Sequence, residues 1–169
     1  MIMDLLELLL WSFVGGLVGS LFMDIASSGV QTLSRGSAAL IDRWGLVGRW
    51  CLGMLDGRFV YKDIGQASPL KNENSVGWFF HYLIGGGVGF MYPIFYLAFN
   101  VPMPENHLIP GLLFGLATVT LPWCMMFPAF GMGFFGIRAP DNTARLIKTT
   151  IIHLSYGLGF GIVLNITSL

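Results

Sequence analysis

Charge is what this chain has least of. Only 11% of its 169 residues are charged, where ~25% is usual for a soluble domain. Most of the outer surface must therefore meet something other than water. Basic and acidic residues balance to a formal net charge of zero, and no basic tail is present, which argues against nucleic acid as a partner. Cys51 and Cys124, the only cysteines, are too few for a disulfide framework. Basic residues are also missing ahead of the first apolar run, which begins at Leu5 and is followed by no small-x-small cleavage site. That run is expected to stay in the protein as a membrane span. No serine motif of hydrolase type occurs, and Cys124, beside Met125 and Met126, reads as an apolar filler.

What the chain does have is hydrophobic length. Apolar residues make up 54% of it, and its mean hydropathy is +0.71. Four runs, at about 5–28, 76–99, 108–128 and 146–167, are long enough to cross ~30 Å of hydrocarbon at ~1.5 Å per residue. Backbone groups find no water in the bilayer core, so each run should be helical. The expected fold is an all-α bundle of four transmembrane helices, one integral membrane domain over residues 1–169, with the lipid bilayer as its partner.

The nine Lys and Arg fall in two places. Arg35, Arg43, Arg49, Arg58, Lys62 and Lys71 lie between the first and second runs; Arg138, Arg145 and Lys148 surround the start of the fourth. The positive-inside rule then puts both segments in the cytoplasm and both termini outside. Within 29–75, Ile41, Trp44, Val47, Cys51 and Leu55 recur at helical spacing, and Arg43 and Arg49 each precede a tryptophan. This predicts an interfacial amphipathic helix over 38–55 with its arginines toward headgroups, serving as an anchor or as a lid over a site between the spans. Asp56 to Pro69, broken by glycines, should be irregular. Asn74 or Ser75 should cap the second span, Pro93 should kink it, and Asp141 or Asn142 should start the fourth. Trp11, Trp78, Trp123 and Tyr92 read as interfacial or lipid-facing aromatics.

Each span carries a pair of glycines four apart: Gly15/Gly19, Gly85/Gly89, Gly111/Gly115 and Gly157/Gly161. Such pairs let helix backbones approach closely, within one bundle or across a homodimer. A longer match, His81-x3-Gly85-x-Gly87-x-Gly89 against His153-x3-Gly157-x-Gly159-x-Gly161, points to a duplicated helical hairpin, as in parallel-repeat transporters.

The polar residues inside the runs share one depth. His81 and His153 stand ~8 and ~10 Å into their spans, and Asp24 ~6 Å from the same face, with Thr120 and Cys124 on that side of the third span. Ionisable groups there are stable only when paired and facing the bundle interior. His81, His153 and Asp24 could form a shell for a transition metal. The two histidines could grip a haem, and an Asp–His pair could carry protons. Three functions follow: a membrane-embedded metal or cofactor site, a small proton-coupled transporter, or a non-catalytic assembly subunit.

Glu73-x3-Gly77-Trp78-x2-His81-Tyr82, with Met23-Asp24, Gly48-Arg49 and His153-x2-Tyr156-Gly157, resembles the signature of a small bacterial membrane-protein family of unknown function. The resemblance covers nearly the whole chain. It implies a four-span protein of the bacterial inner membrane, and it implies no activity, substrate or cofactor.

Overall fold

The computed structural model of the chain describes residues 5–33 and 43–167. Among these the structure is all-helical, with no strand. Three helical stretches are long and apolar enough to cross a membrane: Leu5–Gly29, Leu108–Ala129 and Asn142–Ile166. The first lies in α1 (Leu5–Leu33). The second comprises α5 (Leu108–Thr118), a π-turn over Pro122–Met126 and α6 (Phe127–Ala129). The third is α7 (Asn142–Ile166).

The second expected span is divided. α3 (Glu73–Gly89) ends one residue before α4 (Met91–Ala98) begins, with Phe90 between them. At 17 and 8 residues, neither reaches the ~20 that a crossing requires. The cause lies in the residues: Pro93 has no N–H to bond the turn before it, and glycines at 85, 86, 87 and 89 weaken the helix just ahead.

α1 is the central element, with α3 on one side and α7 on the other; α5 packs on α7 and α2 (Arg43–Leu55) on α3. Missing side chains make these contacts close. A Cβ on Gly111 would stand 2.7 Å from the Gly157 carbonyl oxygen, one on Gly19 2.8 Å from that of Tyr156, and one on Gly16 2.8 Å from the Gly86 Cα. Gly48 and Gly77 face each other's helix backbone across the α2–α3 contact. Gly87, in the repeat-like string, has open space beside it, whereas Gly159 packs against Phe22.

The expected amphipathic helix begins within the described residues at Arg43; its residues 38–42 lie outside them. Its Arg49 does not reach toward headgroups. It is 7% exposed and holds Glu73 with Nε to Oε2 at 2.9 Å and Nη2 to Oε1 at 2.7 Å. Its remaining nitrogen donates to the carbonyls of Ile64 and Ala67. One guanidinium thus fixes α2, α3 and the intervening loop together. That loop is irregular apart from a 3₁₀ turn at Ile64–Gln66. It is stitched to the end of α6 by bonds from the Tyr61 amide to the Ala129 carbonyl (2.8 Å) and from the Ile64 amide to the Phe130 carbonyl (3.2 Å).

The cap of α3 is Asn72, in the left-handed region at φ 63, instead of Asn74 or Ser75. No side chain caps the helix amides; Glu73 instead accepts from the Leu70 amide, ahead of the helix, at 2.7 Å. Asp141 precedes α7 as expected. Tyr92 is no lipid-facing aromatic; it is 3% exposed and packs with Phe160 and Leu164 at the far end of the bundle. There its hydroxyl meets Nδ1 of the fully buried His107 at 2.9 Å, while the His107 amide donates to Asn165 Oδ1.

Candidate functional site

A cavity of about 250 Å³ opens where α1, α2, α3, α7 and the π-turn converge. Asp24, His81 and His153 all line it. They reach it from three helices, because burial in a bundle turns ionisable groups inward.

Asp24 is held by two neighbours on α3. The Tyr82 hydroxyl donates to Oδ2 at 2.8 Å, and His81 Nε2 stands 3.5 Å from Oδ1. Both sides of that contact are largely enclosed, with 15% of the His81 side chain and 20% of Asp24 exposed. Trp44 of α2 lies against the His81 ring, centroids 4.5 Å apart, so α2 covers the cavity from one end.

His153 has a different partner. Its Nδ1 is 2.8 Å from the Thr118 hydroxyl, which also sits 2.6 Å from the Gly115 carbonyl. A hydroxyl has one hydrogen to give. With that hydrogen on the carbonyl, His153 must donate from Nδ1, leaving its Nε2 lone pair as an acceptor. Tyr156, one turn on, donates to the Gly85 carbonyl at 2.7 Å and ties α7 to α3 at the glycine-rich contact.

The two histidines and the aspartate therefore share a cavity without forming one hydrogen-bonded set: Asp24 accepts from Tyr82 with His81 at ion-pair distance, while His153 bonds Thr118. The expected three-ligand metal shell is not assembled: among the described residues, no three His, Cys, Asp or Glu side chains gather closely enough to hold an ion. Thr120 and Cys124 are not in the cavity either. Both are exposed, and Thr120 bonds the Ala117 carbonyl of its own helix. α5 gives way to the π-turn just beyond, so the inward threonine is Thr118. Cys51, half-buried on α2, has its thiol pushed up to about 11 by burial, which disfavours the thiolate at neutral pH.

Sequence reasoning missed Tyr82, Thr118 and Trp44. Tyr82 directly follows a predicted site histidine, and its hydroxyl needed a partner once inside the membrane. That signal was present in the sequence. The Thr118 position depends on where α5 breaks, which proline spacing alone does not set.

Beyond these polar groups the walls are apolar and soft, formed by Trp50, Phe80, Met23, Met125 and Met126 among others. Among the described residues, no Lys or Arg lines the cavity. Ser20 Oγ, fully buried, lines it without a hydrogen-bond partner among the described residues. Chemically, this is an apolar chamber with one carboxylate, two imidazoles and spare hydrogen-bonding capacity.

No curated protein and no solved structure matches the chain. A family model described as "Protein of unknown function (DUF2938)" matches residues 13–166, a stretch that contains every side chain of the cavity, and the chain belongs to that family.

Proposed function

We propose that this is a four-span membrane protein, with α3 and α4 crossing together as one broken span, and that its cavity binds a lipophilic cation in exchange for a proton. The observation that carries this reading is the Asp24–His81 contact of 3.5 Å inside a chamber that, among the described residues, no Lys or Arg lines. A carboxylate in low dielectric needs a counter-charge. A protonated His81 supplies one, and a bound cation supplies another, so the two compete for Asp24. Aromatic rings on the walls favour a cation further, and methionines let the walls adapt to its shape. Anionic substrates are disfavoured by the same carboxylate.

The alternatives have less support. A metal centre would need the free Nε2 of His153 brought to the Asp24–His81 pair, and among the described residues no such group of three is gathered. An assembly subunit would be expected to keep glycine surfaces for a partner, whereas Gly15, Gly19, Gly85, Gly89, Gly111, Gly115, Gly157 and Gly161 all meet atoms of their own chain.

The test is proton release. Purified protein in weakly buffered detergent, mixed with a lipophilic quaternary ammonium ion, should release a proton detectable with a pH dye. Asp24→Asn and His81→Gln should each abolish the signal. Wild-type protein that binds the cation with no proton released, or releases it equally in both variants, would exclude the exchange.

A further inference from the structure

A second cleft, of about 540 Å³, lies between the 62–66 loop, the 130–140 segment and the first turns of α7. Four cationic side chains line it, Arg49, Lys62, Arg138 and Arg145, with two carboxylates, Asp63 and Glu73. Arg49 and Glu73 satisfy each other across the bidentate contact already described. Asp63 is turned to its own loop, accepting from the Gly65 amide at 2.9 Å. Among the described residues, Lys62, Arg138 and Arg145 therefore face one carboxylate not already paired with an arginine, Asp63. Arg145 is the telling residue. Its Nε is buried and has no hydrogen-bond partner among the described residues, and a buried charged donor without an acceptor is strongly unfavourable. The cleft is also preformed: backbone bonds join the 61–64 loop to residues 129–130, and the Arg138 amide donates to the Met132 carbonyl at 2.9 Å.

We infer that this cleft binds a phosphate group, as a phosphomonoester or phosphodiester anion, with the half-buried Arg145 as the inner donor and Lys62 and Arg138 as charges at the rim. Guanidinium groups match phosphate oxygens in geometry and charge. The spacing of three cations around a concave, roomy site suits an anion carrying several acceptor oxygens better than chloride. Two sources have this chemistry. One is the headgroup of an anionic lipid, which basic pockets at the ends of membrane helices commonly hold. The other is a soluble phosphate compound from the aqueous side. The inference is independent of the cation–proton exchange and shares no residue with it.

The experiment uses the full chain. In nanodiscs of phosphatidylcholine with an equal share of phosphatidylglycerol, native mass spectrometry reads which lipid stays bound. In neutral detergent, inorganic phosphate is titrated and the thermal midpoint followed. A lipid source predicts selective retention of phosphatidylglycerol. A soluble source predicts a midpoint that rises with phosphate while neither lipid is retained. In whichever arm responds, Arg145→Gln should weaken binding about tenfold, the loss expected for one charge-assisted hydrogen bond. Lys62→Gln, at an exposed position that does not endanger folding, should weaken it about threefold. Arg58→Gln, outside the cleft and paired with Asp56, should leave it unchanged. The inference is overturned if wild type shows neither lipid selectivity nor a phosphate response, or if Arg58→Gln loses as much as Lys62→Gln.

Discussion

Arg49 and Glu73 form a bidentate ion pair at the junction of α2 and α3, with 8% and 13% of their side chains exposed. Breaking a buried pair leaves one charge without compensation, which typically costs about 3–5 kcal/mol. Arg49→Lys should be almost as harmful as Arg49→Ala, because an ammonium cannot span both carboxylate oxygens and two carbonyls at once. Thermal unfolding in detergent checks the ranking. A lysine variant as stable as wild type would show that only charge matters there.

The same pair makes a pH prediction. Arg49's hydrogen bond holds the Glu73 carboxyl below its ordinary value near 4.5, against the opposing pull of burial. A carboxyl with a depressed folded pKa contributes stability that is complete above the ordinary value and is lost as pH falls through the folded one. The stability difference between wild type and Glu73→Gln should therefore be constant from neutral pH down to about pH 5 and shrink below pH 4.5. A difference that stays flat into the acid range would mean Glu73 is not the group that titrates.

Thr118 assigns the tautomer of His153. With its one hydrogen on the Gly115 carbonyl at 2.6 Å, it can only accept from Nδ1. Nitrogen NMR of labelled protein should show a single Nδ1–H form for His153, with Nε2 carrying the lone pair. Thr118→Val removes the acceptor and should produce a mixture of both tautomers. An Nε2–H form in wild type would reverse the assignment and leave the cavity facing a donor.

Much of this was readable from residue order, and what was not has local causes. Hydropathy located α1, α5 and α7, since a bilayer crossing needs little more than length and apolarity. The convergence of Asp24, His81 and His153 on one cavity followed from depth and from the cost of facing lipid with a charge. The Asp24–His81 contact followed as well, but the pairing of His153 with Thr118 did not. It depends on the rotation of α5 before its π-turn, which brings Thr118 inward and turns Thr120 out. The inward Arg49 was missed for a similar reason: on α2 an arginine beside a tryptophan fits a headgroup-facing surface equally well. Only the partner Glu73, at a distant position in the chain, decides otherwise.

Glycine substitutions separate the packed positions from the free one. An added Cβ at Gly115 would stand 2.7 Å from the Gly157 Cα and closer still to the His153 carbonyl, whereas at Gly87 nothing lies within 4 Å. Backbone atoms cannot yield as a flexible side chain can. Gly115→Ala should therefore force α5 and α7 apart and lower the unfolding midpoint by several degrees, about 1–3 kcal/mol of overpacking. Gly87→Ala should be neutral or stabilising by up to about 1 kcal/mol through reduced backbone entropy. Equal effects at the two positions would mean that the α5–α7 contact is looser than this spacing implies.

Topology can be read from exposed positions on the two connecting segments. Ser68, in the basic segment between α2 and α3, and Glu105, in the turn between α4 and α5, are both exposed. In the proposed four-span arrangement, the positive-inside rule would put the first on the inner side and the second outside. The native cysteines should stay silent: Cys51 is half-buried with its thiol pushed up to about 11, so little reactive thiolate forms at neutral pH. Cys124 lies in an apolar stretch that faces lipid in the proposed arrangement, beyond an aqueous reagent. In intact cells a membrane-impermeant maleimide should then label Glu105→Cys and leave Ser68→Cys unlabelled until the membrane is opened. The reverse pattern would invert the protein and place both clefts on the outer side. Labelling of both positions in intact cells would mean that α3 and α4 do not cross together, and the four-span arrangement would have to be given up.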